Sequence, residues 1–257
     1  MSDFPPADGF EAPRREPVFA IPGVVVALVA GLTAIYAVFD FLPAATQDGL
    51  VSLFAFTPKR LTLALWYVRP VDFSARFDFA QPWTLLTYAL LHGSWTHVLL
   101  NSVWLVAFGP PVARRFGAWR FLAFFALTAV AGALAHWLFF QMDVAPLIGA
   151  SAADSGLMAA ATRFVFEPGA PLGEPDGFSL SAGQTDALRP APRLFDLLRQ
   201  RRALGFIAIW LATNFVFGAG AQTLGASSAP IAWIAHLGGF VVGLVAFPLF
   251  DRAAQAR

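Results

Sequence analysis

The chain has 257 residues, of which 58% are hydrophobic and only 13% charged, a balance far outside that of soluble globular domains. Its formal net charge is +1, and no basic patch is interleaved with aromatics beyond ordinary helix flanks, so nucleic-acid binding has no support. The sequence contains no cysteine, which excludes disulfides and thiolate chemistry.

Six segments are apolar and long enough, at roughly 17 to 25 residues, to cross about 30 Å of hydrocarbon as helices. They cover residues 18–42, 84–108, 119–140, 147–167, 203–219 and 229–250. Alternation at period 2 is missing, which argues against a β-barrel. The predicted class is an all-α membrane protein, with a membrane domain at 18–250 between tails at 1–17 and 251–257.

The N-terminal tail carries Pro5, Pro6, Pro13 and Pro17 among mixed charges and reads as a loosely ordered segment without catalytic groups. The apolar stretch that follows is too long for a signal-peptide core and reads as a retained first helix. Residues 43–83 form a long loop with apolar runs on either side of Lys59-Arg60 and with Trp66, Tyr67 and Trp83, a pattern expected of short amphipathic helices in the membrane interface.

The second segment starts after Pro82 and holds His92, His97 and Asn101. His97 and Asn101, four apart, share a helix face; His92 lies near the outer end, where Gly93 and Ser94 weaken the helix. Three polar residues in one span are costly unless they find partners. His136, near the outer end of the third segment, has no motif around it and reads as a packing or interfacial residue.

The fourth segment opens with Ile148-Gly149-Ala150-Ser151-Ala152-Ala153-Asp154-Ser155-Gly156. Ser151 falls near one mouth of a helix and Asp154 one turn deeper; lipid offers neither a hydrogen bond, so each should face protein or a water-filled cavity. Gly149 and Ala150 read as small so that a substrate backbone can approach. Residues 168–202, rich in proline and ending in Arg199-Gln200-Arg201-Arg202, read as a linker facing anionic headgroups. The uncharged, glycine-rich loop 218–229 has the composition of a mobile lid. In the sixth segment Gly239 and Gly243 make a small face that admits another backbone closely, with His236 three residues before Gly239.

Of the 17 Lys and Arg residues, Lys59, Arg60, Arg69 and Arg76 fall in the one long loop 43–83, and all the others lie on the opposite side under the six-helix arrangement. By the positive-inside rule both termini are cytoplasmic.

The fourth helix presents a matching small face through Ser155, Gly156, Ala159 and Ala160. If the two small faces pack, His236 comes within reach of Ser151. Serine is a weak nucleophile at neutral pH and needs an adjacent base, most often histidine. The oxyanion formed on attack needs donors, for which His97, Asn101 and the Ser151 backbone N–H are candidates.

These residues together resemble the rhomboid intramembrane serine proteases: His92, His97 and Asn101 in the second helix, Gly149-Ala150-Ser151 opening the fourth, and Ala235-His236-Leu237-Gly238-Gly239 with Gly243 in the sixth. The resemblance covers about residues 18–250. It implies a six-helix rhomboid-like bundle in a bacterial inner membrane that cuts transmembrane substrate proteins near the outer face. Ser151 would be nucleophile and His236 base and acid, with His97 and Asn101 in the oxyanion hole, His92 structural, and no cofactor. Loop 218–229 and the fifth helix would correspond to the family's cap and lateral gate.

The chain departs from the family pattern at Ala152, commonly glycine, and at Ser155, commonly an aromatic ring that packs on the histidine; a hydroxyl or water would then orient His236. It also departs at Ala113, after the loop motif Gly109-Pro110-Pro111-Val112, and at Trp83-Thr84. Asp154 has three readings: a neutral group hydrogen-bonded between helices, an acid orienting His236, or part of a proton or water path.

The alternative function is an inactive rhomboid-like protein that binds transmembrane helices. A transporter would call for internal repeats, which are not found. A metal site from His92, His97, His136 and Asp154 lacks the His-x-x-x-His spacing.

Overall fold

The computed structural model describes residues 21–66, 81–167, 191–197, 199–216, 218 and 232–251. Most of the expected linker at 168–202 and lid at 218–229 lies outside these residues. The described chain is helical, apart from an isolated antiparallel bridge between Phe56 and Leu147.

In chain order the helices are α1 (Gly23–Asp40), α2 (Ala44–Phe54), α3 (Pro58–Trp66), α4 (Thr84–Thr87) running into a 3-10 turn at Tyr88–Leu90, α5 (Trp95–Phe116), α6 (Ala118–Phe139), α7 (Ser151–Thr162), α8 (Leu194–Leu197), α9 (Arg201–Phe215) and α10 (Trp233–Phe250). Among the described residues, four helices are long and apolar enough to cross a membrane: α1, α5, α6 and α10.

Two expected spans are corrected. The segment expected as one helix over 84–108 is a short turn of helix, a break at 91–94, and then α5, which runs on to Phe116. The break is set by Ser94, whose extended backbone and side chain cap the new helix by accepting from the His97 N–H at 3.1 Å. At the other end, Pro110 and Pro111, expected in a loop with Gly109, Val112 and Ala113, lie inside α5. The expected helix 147–167 is regular only from Ser151 to Thr162. Its twelve residues rise about 18 Å, well short of a hydrocarbon core of about 30 Å.

That short helix is the centre of the molecule. Every residue of α7 from Ala152 to Thr162 is buried, enclosed by α5, α6 and α10, and small residues make the enclosure possible. Ideal β-carbons built at Gly239 and Gly243 of α10 would lie 2.0 Å from the Ala152 carbonyl oxygen and 2.6 Å from that of Gly156. One built at Gly156 would lie 2.5 Å from Thr128 of α6, and one at Gly132 2.4 Å from the Ala152 Cβ. Backbone approach this close is the helix association that glycine permits in membranes.

At the end of the bundle away from Ser151, Arg115 and Asp251 form a buried bidentate pair with both N–O distances at 2.9 Å, tying α5 to the end of α10. Arg163 donates to the carbonyls of Leu244 and Pro192 at 3.0 and 2.6 Å.

Within the expected interfacial loop at 43–83 the described residues form α2 and α3 and are fastened to the bundle, while residues 67–80 lie outside the described residues. Thr87 donates to the Phe54 carbonyl at 2.7 Å, Trp83 Nε1 to that of Leu53 at 2.8 Å, and Trp137 Nε1 to the Thr62 hydroxyl at 2.9 Å.

Candidate active site

Ser151 is the first residue of α7, and the strand-like lead-in to it is held from two sides. Phe56 and Leu147 exchange backbone hydrogen bonds at 3.2 and 2.8 Å, and the Gly149 N–H donates to the Tyr88 carbonyl at 3.0 Å. Tyr88 in turn donates through its hydroxyl to the Ala129 carbonyl at 2.7 Å.

Gly149 itself has φ of 110°, in the left-handed region. A β-carbon there would lie 2.5 Å from His97 Nε2. The glycine is therefore demanded by its own backbone and by the His97 ring, where the sequence had suggested room for a substrate.

His236 comes to the serine from α10. Its Nε2 lies 2.7 Å from Ser151 Oγ, and its Nδ1 lies 2.7 Å from Oδ1 of Asn214 on α9. Asn214 also donates through Nδ2 to the Trp233 carbonyl at 3.1 Å. Because a carbonyl can only accept, the amide nitrogen faces Trp233 and the amide oxygen faces His236, which assigns the amide orientation.

Asn214 was missed in the sequence. The available signal was a single amide in an apolar segment, where a polar group needs a partner, but no neighbouring motif says which partner.

Ser155 does not take the place of a ring beside His236. Its hydroxyl donates to the Ser151 carbonyl at 2.8 Å, back along its own helix. Where a hydroxyl or water was expected to orient His236, the group at Nδ1 is the Asn214 amide. Asp154 is 2% exposed, and among the described residues neither carboxyl oxygen has a hydrogen-bond partner. Of its three readings, the interhelical hydrogen bond is not formed among the described residues, and His236 Nδ1 meets Asn214 rather than Asp154.

His97 and Asn101 both lie beside Gly149. The Asn101 Nδ2, in a residue 4% exposed, is 3.4 Å from the β-carbon position of Gly149 and has no hydrogen-bond partner among the described residues. The N-terminal turn of α7 adds its unpaired N–H groups and the positive end of its dipole at Ser151. His92 is buried and packs edge-on against the His97 ring with centroids 5.0 Å apart. His136 has its Nε2 3.6 Å from Asp143 and, among the described residues, makes no hydrogen bond to the site residues.

Chemically, the site offers a hydroxyl bonded to an imidazole, that imidazole bonded on its far side to a fixed amide, and an unpaired amide donor near the nucleophile's helix terminus.

Residues 80–174 match the family model described as "Rhomboid domain". Over 96 residues the chain is 30% identical to the Bacillus subtilis (strain 168) protein named "Putative rhomboid protease YdcA", an alignment covering 37% of this chain and 48% of that protein. The chain thus matches about half the length of that curated relative. The matched stretch contains His92, His97, Asn101 and Ser151 but stops before α9 and α10, so Asn214 and His236 lie beyond it. With a stretch similar to the rhomboid domain and several apolar helices, the chain is a multi-pass integral membrane protein.

Proposed function

We propose that the protein is an intramembrane serine endopeptidase that cuts transmembrane substrate proteins near the outer face of a bacterial inner membrane, without metal or other cofactor. The observation that carries this reading is the 2.7 Å contact between Ser151 Oγ and His236 Nε2 at the half-buried start of a helix too short to span the bilayer.

In this mechanism the Ser151 oxygen attacks the scissile carbonyl carbon while its proton passes to His236 Nε2. The oxyanion is met by Asn101 Nδ2, His97 and the Ser151 backbone N–H. The protonated imidazole then gives its proton to the leaving amine, and an acyl-enzyme remains. Water attacks the acyl carbon as His236 takes a proton from it; the carboxylic product leaves, and the proton returns to Ser151.

His92 supports the His97 ring, and Gly239 and Gly243 keep α10 against α7. The topology in this reading has six membrane helices, with α7 and α9 as the two short ones, both termini cytoplasmic, and membrane lipids around the bundle.

The test is labelling of the purified protein by a serine-directed fluorophosphonate, alongside cleavage of a model transmembrane substrate in detergent. Wild-type protein is expected to label at Ser151 and to cleave. Ser151→Ala should lower turnover roughly 10³-fold or more while leaving the melting temperature unchanged. A wild-type protein that neither labels nor cleaves would overturn the reading and leave a rhomboid-like protein that binds helices.

A further inference from the structure

We propose that Asn214 is the positioning residue of this site, holding His236 in the tautomer that can take a proton from Ser151. The proposal rests on the serine-protease reading, and it adds to the serine–histidine pair a third helix that neither motif includes.

The geometry fixes the roles. Asn214 Nδ2 is committed to the Trp233 carbonyl, so Oδ1 is the atom presented to His236. An amide oxygen accepts, so His236 Nδ1 carries the hydrogen. Nε2 is then the bare lone pair, 2.7 Å from the serine hydroxyl that must donate to it. Which ring nitrogen is protonated is set by the bond made at the other, and here that bond comes from α9.

No other described group competes for the task. Ser155 is turned to the Ser151 carbonyl, and both Asp154 oxygens are without partners. Asn214 spans the first turn of α10 by gripping it at two places, Trp233 and His236. A neutral amide does this without placing a charge in apolar surroundings. When Nε2 gains the serine proton, the hydrogen on Nδ1 stays where it is, because an amide is not a base at neutral pH.

The experiment compares wild type, Asn214→Ala and Asn214→Asp as full-length protein in detergent. It records the ¹⁵N resonances of the His236 ring, the fluorophosphonate labelling rate, and kcat and KM on a transmembrane substrate. Asn214 is half-buried on its helix, and a thermal melt checks that each variant is folded.

Wild type is expected to show the Nδ1-protonated form. Asn214→Ala should mix the tautomers and lower kcat and labelling by about 10- to 100-fold, with little change in KM. Asn214→Asp keeps an acceptor oxygen and should recover most of the lost rate. An unchanged tautomer in Asn214→Ala, or a loss confined to KM, would overturn the proposal. Wild-type protein that fails to label would instead overturn the protease reading, while the ring resonances still decide the role of Asn214.

Discussion

Helix α10 is met on two sides by seams of opposite construction. Against α7 and α6 it is packed backbone to backbone: Gly239 faces the Ala152 carbonyl, Gly243 that of Gly156, and Gly238 the Ala135 side chain and Ala131 carbonyl. None of these three glycines has a rotamer to change.

Against α9 the contact is made by large side chains. Trp210 stacks on Phe240 with centroids 4.1 Å apart and an interplanar angle of 16°, and Asn214 reaches His236 and Trp233. The first seam sets the distance between the backbone carrying Ser151 and the backbone carrying His236. The second sets how the imidazole is turned, and it is the seam that side-chain rotation can open. Rigidity for the nucleophile and adjustability for the base therefore come from residue size alone.

The sharpest way to break this comparison is Gly239→Val. The first added carbon alone would sit 2.0 Å from a backbone oxygen that cannot rotate away. The expected loss is about 3 kcal/mol or more, or failure to fold, read from denaturation in detergent; a variant as stable as wild type would show that the seam has slack.

Trp210→Ala tests the other side. Trp210 is half-buried, so the expected cost is about 1 to 2 kcal/mol, with the serine still reactive to fluorophosphonate. A loss exceeding that of Gly239→Val would invert the ranking of the two seams.

The smallest effect is expected at Asp154→Asn, which keeps shape and touches neither seam's polar contacts. Turnover should stay within about twofold of wild type and stability within about 1 kcal/mol. A tenfold fall in kcat would return Asp154 to a tuning role that its lack of partners gives no support for.

Much of the architecture was legible in the chain itself. Polar residues inside apolar segments stand out, and Ser151, His236, His97 and Asn101 could be picked out because each needs a partner that lipid cannot supply. The small faces of the fourth and sixth segments likewise announced close helix packing, as Gly239 and Gly243 now show.

Helix ends were less legible. Hydropathy counts apolar residues and is blind to caps, so Ser94 and the positive φ of Gly149 moved the starts of α5 and α7 inward, and the two prolines at 110 and 111 failed to stop α5.

Sequence alone determined that this is a helical membrane chain with a small set of polar residues in need of company, because composition and spacing are local properties. Only the tertiary structure decided which company they keep. Asn214 reaches His236 across 22 positions, and Ser151 reaches it across 85. The contacts that orient the imidazole, and the partnerless state of Asp154, depend on how α9, α10 and α7 lie in space. No pattern within one helix encodes that.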